Sequence, residues 1–266
     1  MQSSIWGTCQ HASREPTILL PHHCRWSYTR SMPVDTVDFC FPPSTMFRPP
    51  RYPVRRPFWE DFVTRSVHHI FSRGGFILDI GGGLRIDGTR GNRVSPTMAR
   101  QFSRYLTDTS VQYNVTDYTD QYHPDFIEDI HALSFQSSSV DGLFCMAVLE
   151  HVYDPKRAAE ELVRVLKKGA EAFLYVPFIY RYHANLTDDY RDYFRYSKDG
   201  IEYLFRECSS VTICPVRGIF ESLLRFLPLH RCTPLVWCLR IIDWKIPAMR
   251  RISERQTSGY FIHIVK

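Results

Sequence analysis

The chain has 266 residues, a formal net charge of +5 and 44% hydrophobic against 23% charged residues, which is typical of a folded domain with a sizeable core. It contains no run of about eighteen apolar residues and no signal-peptide pattern, so we expect no membrane-spanning helix and a cytoplasmic location. The eight cysteines include no Cys-x-x-Cys pair, which argues against zinc, and we expect no metal.

Residues 1–57 carry nine of the seventeen prolines and predict an irregular extension. Seven arginines against three acidic residues give this extension a charge of +4, so residues 58–266 are nearly neutral at +1. The folded part therefore lacks the basic stripe of a nucleic-acid-binding face, and nucleic acid is not expected as a partner. Two interpretations of the extension stay open: an arm for an anionic surface or a partner, or a dispensable tail.

The predicted domain begins at Phe58. Apolar residues recur at helical spacing over 58–71, and two glycines at 74 and 75 predict the end of this helix. Residues 76–80 are mostly apolar and of strand type, which predicts a buried parallel strand.

This strand runs into Gly81, Gly82 and Gly83, which predict a tight turn where a ligand can lie directly against the main chain. A dinucleotide site would need a glycine in place of Ile86, which disfavours a nicotinamide-dependent oxidoreductase. Asp79 ends the strand and can neutralise an ammonium group. The turn therefore favours an amino-acid-like ligand.

The next segments predict a polar loop over 84–93, a helix over about 95–106 and an alternating strand over 111–117. Asp117 ends this second strand, where a carboxylate can accept hydrogen bonds from two ribose hydroxyls. The alternative is a solvated loop aspartate.

A short third strand is predicted over 125–130. At its end Asp129 can accept a hydrogen bond from an exocyclic amine, and Ile130 can lie against a ring face. Residues 140–148 predict a central fourth strand.

Asp154 and Pro155 predict the start of a helix, and the Lys-Lys-Gly sequence at 167–169 predicts its end. A fifth strand follows over 172–177. Strands that alternate with helices predict an α/β fold with a mostly parallel sheet and helices on both faces.

Towards the C-terminus, Ser197 is predicted to cap a short helix, and residues 211–215 and 260–265 predict two more strands. Residues 218–250 interleave apolar and basic residues, and we interpret them as a helical cap insertion that completes an acceptor pocket. The alternative is an interfacial element that makes peripheral contact with anionic membrane lipid or a lipid-linked acceptor.

Four motifs occur together in order: residues 77–83, the acid at Asp117, the pair Asp129 and Ile130, and residues 148–155. Over about residues 74–215 the chain resembles the class I S-adenosylmethionine-dependent methyltransferases of the small-molecule type 11 kind. The resemblance implies a Rossmann-like sheet of seven strands, the last antiparallel, and S-adenosyl-L-methionine as cofactor.

By this resemblance the cofactor is bound in four places. Asp79, Gly81, Gly82 and Gly83 hold its methionine part, Asp117 its ribose, Asp129 and Ile130 its adenine, and Met146 and Ala147 line the wall by the sulfonium. Arg85 stands where the family usually has another glycine. We therefore expect a displaced following helix, and Arg85 or loop backbone groups at the cofactor's carboxylate.

His151 and His183 are the candidate general bases, since each follows a strand at the ligand-facing edge. The alternative for His151 is a histidine satisfied by loop backbone. The aromatic and charged loop that contains His183 would bind the acceptor.

We therefore predict a methyltransferase that acts on a small-molecule or glycan-type acceptor at oxygen. The alternative is a binding protein with a methyltransferase fold and no turnover. The sequence gives no oligomeric state.

Overall fold

The structure is a computed structural model that describes residues 45–46, 57–90, 93–185 and 190–266. Of the predicted irregular extension, only Thr45–Met46 and Pro57 belong to the described residues, and the rest of that prediction lies outside them. Within the described parts of the chain, no helix is both long and apolar enough to span a membrane.

One mixed sheet organises the domain. Its strands are β1 Thr45–Met46, β2 Gly75–Ile80, β3 Val111–Asp117, β4 Phe126–Ile127, β5 Val140–Met146, β6 Leu166–Pro177, β7 Ser210–Pro215 and β8 Gly259–Val265. Their order is β1-β7-β8-β6-β5-β2-β3-β4, and β8 runs antiparallel between β6 and β7 while the other pairs are parallel. The predicted fold class is confirmed, and β1 adds an eighth strand to the seven expected.

Seven α-helices lie among the described residues: α1 Phe58–Ser72, α2 Pro96–Phe102, α3 Pro155–Val165, α4 Lys198–Leu204, α5 Ile219–Leu224, α6 Thr233–Lys245 and α7 Pro247–Ser253. Short 3₁₀ turns occupy Gly88–Arg90, Ser103–Leu106, Leu149–His151 and Pro228–Arg231. The predicted helix over about 95–106 is thus α2 followed by a 3₁₀ turn. Ser95 caps α2, since its side chain accepts from the Met98 N–H.

The core lies on both faces of the central strands β2 and β5. Ile77 packs with α1 in one apolar cluster, and its neighbour Leu78 packs with α3 in the other. Both side chains have 0% exposure. Because successive residues of a strand point to opposite faces, a strand covered on both faces needs an unbroken apolar run, which explains the sequence of β2.

The junction of α3 and β6 corrects one prediction. The helix ends at Val165, and the Lys-Lys-Gly sequence at 167–169, predicted to close it, belongs to β6. The carbonyls of Arg164 and Val165 accept from the N–H groups of Ser138 and Ser139, at 3.0 and 2.9 Å, so no glycine cap is needed. Lys167 lies 2.7 Å from Asp141, a neighbour in space that local sequence does not reveal.

Helices α5, α6 and α7 form the segment predicted as a cap, here called the cap helices. Asp243 on α6 links the three helices. Its carboxylate accepts from the N–H groups of Phe220 and Glu221 at the start of α5, each at 3.0 Å. It also accepts from the hydroxyl of Ser253 on α7 at 3.1 Å. Arg240 lies over the Trp59 ring of α1 at 5.3 Å. The cap helices are therefore attached to the face of the domain that α1 covers.

The third predicted strand is shorter than expected. Only Phe126–Ile127 pairs with β3, and Glu128 donates its N–H to the Asp117 carbonyl at 2.9 Å. Residues 129–132 turn away, with the Ala132 N–H donating to the Asp129 carbonyl at 2.9 Å.

Candidate functional site

The candidate site lies at the edge of the sheet where the parallel strands β2, β3, β4, β5 and β6 have their carboxyl ends. Ligands of open α/β sheets bind at this edge. Every residue singled out from the sequence follows one of these strands or ends it, so the topology brings all of them to one edge.

The backbone conformation of the glycine turn depends on the absence of side chains. Gly81 and Gly82 have φ of +73° and +56°, which glycine adopts readily, and the Gly81 N–H donates to the Thr116 carbonyl of β3 at 2.7 Å. A Cβ on Gly83 would lie 2.5 Å from the carbonyl oxygen of Met146, at the end of β5. The turn therefore presents main chain without side chains, as a closely held ligand requires.

Asp79 lies beneath this turn with 0% exposure. Its Oδ2 accepts from the Leu84 N–H at 3.0 Å and from the Tyr113 hydroxyl at 2.6 Å, while its Oδ1 is buried without a hydrogen-bond partner. Burial raises the pKa of the Asp79 carboxyl to about 7. An unpaired buried carboxylate oxygen at this place fits an ammonium group, which would supply the missing donor.

The two acids expected to hold ribose and adenine are at the same edge. Asp117 is half-buried, and burial raises its pKa. Asp129 is exposed, but its Oδ1 accepts from both the N–H and the ring Nδ1–H of His131, at 2.9 and 2.7 Å. Ile130 beside it is buried in the core. Asp129 thus has one carboxylate oxygen left for a ligand.

Met146 and Ala147 end β5 directly opposite the glycine turn. Ala147 has φ of +58° and donates its N–H to the Tyr175 carbonyl of β6 at 3.0 Å. At this left-handed residue the chain leaves strand β5.

Arg85 is exposed, with φ of +56°, and its carbonyl accepts from the Ser95 N–H at 3.0 Å. The displaced helix predicted after the glycine turn is observed, since α2 begins only at Pro96. Arg90 anchors the intervening loop by ion pairs to Asp87 and Asp125, at 2.9 and 2.7 Å.

His151 is oriented as a base. Its Nδ1 contacts the Arg191 carbonyl, which can only accept, so Nδ1 carries the proton and Nε2 keeps a lone pair. That Nε2 is buried and has no hydrogen-bond partner. Burial lowers the pKa of His151, which favours the neutral ring. Loop backbone therefore satisfies only one of its two nitrogens.

His183 follows β6 and reaches the same place. Its Nδ1 lies 3.2 Å from both the Arg181 carbonyl oxygen and Asp192 Oδ2, a carboxylate that Arg195 also binds. The hydrogen bond from Arg195 holds the pKa of Asp192 down at about 2, so this carboxylate is charged, and it lies on the Nδ1 side of the His183 ring. The ring centroids of His151 and His183 lie 4.8 Å apart.

Glu150 lies between the two rings and is the main residue that the sequence did not identify. Its Oε1 lies 3.8 Å from His151 Nε2 and 3.9 Å from His183 Nε2, and its Oε2 is buried without a partner. Burial raises the pKa of Glu150 to about 8, so it is mostly protonated at neutral pH.

Three further residues of this site were missed. Tyr113 binds Asp79, Asp192 orients His183, and Tyr190 packs on His151 with ring centroids 3.8 Å apart. The acidic and aromatic sequence over 188–196 was the available signal for the last two, although 188 and 189 are outside the described residues. No local signal exists for Tyr113, which reaches Asp79 from the neighbouring strand.

Two described clusters have the donor types of metal sites. One ligand atom each from Glu150, His151 and His183 lies within 4.8 Å of the others, and the same holds for His69, Glu171 and His263. Carboxylate and imidazole donors suit zinc and similar ions.

Comparison with known families finds a match to part of the chain. A family model described as a methyltransferase domain matches residues 88–174. This part of the chain is therefore similar to a methyltransferase domain, in agreement with the resemblance seen in the sequence. No curated protein matches the chain.

Solved structures share the fold at low identity. A phosphoethanolamine N-methyltransferase 2 of Haemonchus contortus, in complex with S-adenosyl-L-methionine, is 15% identical with a TM-score of 0.44, and the match covers 76% of this chain but only 52% of that one. A SAM-dependent methyltransferase of Archaeoglobus fulgidus is 13% identical with a TM-score of 0.49, covering 77% and 94%. The [4+2]-cyclase SpnF is 16% identical with a TM-score of 0.43, covering 81% and 84%. At this level of identity the acceptors of these proteins do not transfer to this chain.

Proposed function

We propose that this protein transfers a methyl group from S-adenosylmethionine to a hydroxyl oxygen of a small polar or glycan-type acceptor, with the pair His151 and His183 as the proton-accepting groups. The observation that supports the proposal most is the convergence of both Nε2 atoms on Glu150 Oε1 at the ligand-facing edge. S-adenosylmethionine supplies the methyl group from its sulfonium. The chain's own residues bind and orient the cofactor and the acceptor and remove the proton from the acceptor hydroxyl.

The cofactor residues keep the roles assigned to them from the sequence. Asp79 accepts from the ammonium group, the glycine turn admits the methionine part, and Arg85 lies on the loop next to the cofactor's carboxylate. Asp117 accepts from the ribose hydroxyls, and Asp129 with Ile130 forms the adenine subsite. The buried, unpaired Oδ1 of Asp79 supports the first of these assignments.

A hydroxyl acceptor requires a base, because a neutral alcohol is a poor nucleophile. His151 is held in the tautomer that a base needs, with Nδ1–H directed at the Arg191 carbonyl. His183 is supported by charged Asp192, which would stabilise the ring after it accepts a proton. General-base catalysis of this kind contributes roughly 10²–10⁴-fold in rate.

The protonation state of Glu150 makes a histidine a better candidate for the base than Glu150. A carboxyl with a pKa of about 8 is mostly protonated at neutral pH, so only a minor fraction can accept a proton there. A neutral Glu150 also leaves both imidazoles without a charged neighbour on their Nε2 side. An acceptor that binds as a neutral amine already has a nucleophilic lone pair, so methyl transfer to it would not need a base, and the two histidines would then be dispensable.

The first experiment is calorimetric titration of the full chain with S-adenosylmethionine and S-adenosylhomocysteine. We expect micromolar binding, roughly −8 kcal/mol, that is much weaker in Asp117→Ala. The matched control is Glu207→Ala, an exposed acid that precedes β7 and therefore lies at the opposite edge of the sheet. Equal affinity in Asp117→Ala and the wild type would contradict the ribose assignment.

The second experiment screens alcohols, phenols, sugars and amines for S-adenosylhomocysteine release and for the added methyl group by mass spectrometry. Transfer to a hydroxyl compound that drops sharply in His151→Gln or His183→Gln supports the proposal. Transfer to amines alone, with both variants fully active, would overturn it. Cofactor binding without transfer to any compound would favour the binding protein without turnover.

A further inference from the structure

A second cavity lies beside the histidine pair, between the segment that follows β6 and the cap helices. We call it the arginine cavity, and it is lined by Ile179, Tyr180, Arg181, Arg225, Phe226 and His230. Tyr180 connects it to the proposed acceptor site, since its ring centroid lies 5.3 Å from that of His183. A molecule in this cavity would therefore lie next to the proposed base.

Arg217 places a poorly compensated charge near this cavity. It precedes α5, and its Nη1 donates to the Ser258 hydroxyl at 3.0 Å, but its buried Nε has no hydrogen-bond partner. The nearest acid is Glu221, with Oε1 3.5 Å from that Nε. Glu221 is already bound by Arg240 through two hydrogen bonds of 2.9 Å. The single negative charge of Glu221 is thus shared by two guanidinium groups.

Arg225 adds a second positive charge. It lines the cavity, is exposed, and has no ion pair with any acid among the described residues. Burial, and after it the charge of Arg225, lowers the pKa of Arg217, so the two guanidinium groups repel each other. Tyr180, another lining residue, interacts electrostatically with Arg217 as well. Like charges gathered at a cavity are unfavourable unless an anion binds there.

We propose that the arginine cavity binds an oxyanion group, phosphate or carboxylate, carried by the methyl acceptor. Guanidinium groups bind both kinds of oxyanion with two parallel hydrogen bonds, and a dianionic phosphate matches two arginines better than a single carboxylate does. The proposal rests on the function proposed above, since it assigns the anion to the acceptor. It adds that the acceptor's charged group lies on the β6–β7 side of the histidines, opposite to the glycine turn.

The test is direct titration of the full chain, saturated with S-adenosylhomocysteine, with inorganic phosphate or with acetate at constant ionic strength. We expect saturable binding that is at least tenfold weaker in Arg225→Gln. Arg231→Gln is the matched control, because Arg231 is an exposed arginine of the same segment that does not line the cavity. Cofactor affinity should be unchanged in both variants, and Arg225→Lys should recover part of the anion affinity.

The outcomes separate this proposal from the function it rests on. Stronger binding of phosphate assigns a phosphate-bearing acceptor, and equal or stronger binding of acetate assigns a carboxylate. Absence of saturable anion binding by a protein that binds S-adenosylhomocysteine would overturn the oxyanion site alone, as would an equal loss in Arg231→Gln. If the wild type does not bind S-adenosylhomocysteine, the proposed function fails, and the same anion titration on the protein alone still decides whether the cavity binds an oxyanion.

Discussion

The rings of His151 and His183 lie almost at right angles, with centroids 4.8 Å apart and an interplanar angle of 83°. Both Nδ1 atoms contact a backbone carbonyl oxygen, that of Arg191 for His151 and that of Arg181 for His183, and His183 Nδ1 also lies 3.2 Å from the charged Asp192 carboxylate. Both Nε2 atoms approach the same oxygen of Glu150. The two rings, from two separate loops, therefore form a close pair, which the proposed function uses as one proton-accepting unit.

Replacement of either histidine should affect turnover and leave cofactor binding unchanged. We expect His151→Gln to lower kcat by about 100-fold or more, since it removes a base and not a cofactor contact. Steady-state kinetics with the identified acceptor and calorimetry with S-adenosylhomocysteine measure the two effects. His68→Gln, on α1 away from this edge, is the control, and a parallel loss of cofactor affinity in His151→Gln would contradict the assignment.

The pH dependence of turnover should reflect the burial of His151. Burial lowers the pKa of this ring below its ordinary value of 6.5, so the base stays unprotonated further into the acid range. The acid limb of kcat/KM should therefore lie below pH 6.5 and should change in His151→Gln. A wild-type limb at or above pH 6.5 would exclude a buried neutral His151 as the essential base.

Asp79→Asn should stabilise the protein without ligand and weaken cofactor binding. The folded carboxyl has a pKa of about 7 against an ordinary 3.8, so the folded state retains a proton that the unfolded state has lost between these values. Stability from this group is complete below pH 3.8 and is lost as the pH rises through 7. Asparagine does not titrate, so the Asp79→Asn variant does not lose this stability as the pH rises.

The stabilisation by Asp79→Asn should accordingly grow with pH. We expect its unfolding free energy to exceed that of the wild type by a few kcal/mol at pH 8 and by much less at pH 4. Urea denaturation at the two pH values measures this difference, with Asp61→Asn as the control. A difference that is the same at both pH values would show that Asp79 does not titrate in this range.

Gly83→Ala should weaken cofactor binding, because its Cβ would lie 2.5 Å from the Met146 carbonyl oxygen and the backbone of the turn would have to move. We expect at least a tenfold loss of S-adenosylhomocysteine affinity by calorimetry. Gly88→Ala is the matched control, since its Cβ would only touch Val94 at 3.6 Å. Equal affinities in the two variants would show that the turn does not hold the cofactor.

The parts of the site that depend on local sequence were predictable. The strand over 76–80, the glycine turn and Asp117 each follow from a short pattern, and parallel topology then brings strand ends together. The cap helices were also expected from the apolar and basic pattern of 218–250. Their contact with α1 through Arg240 and Trp59 was not, because it joins residues far apart in the chain.

Contacts between distant segments account for most of what the sequence did not reveal. The Lys-Lys-Gly signal at 167–169 predicted the end of a helix, but Lys167 forms an ion pair with Asp141 in the neighbouring strand β5. The role of Glu150 depends on where His183 lies. The excess positive charge near the arginine cavity depends on the two hydrogen bonds that Arg240 donates to the Glu221 carboxylate. Such competition for partners is decided by packing and leaves no periodic signal in the sequence.

The position of β5 in the sheet order separates two groups of strands. β2, β3 and β4, which carry the proposed cofactor residues before Met146, lie on one side, and β6, β8 and β7 lie on the other with the cap helices. A chimera that exchanges the cap helices, residues 218–253, for those of another methyltransferase and keeps the contact of Arg240 with Trp59 should therefore keep its S-adenosylhomocysteine affinity while its acceptor preference changes. With the proposed function, acceptor choice could then be redesigned, or could diverge between descendants, while the strands that carry the cofactor residues stay unchanged.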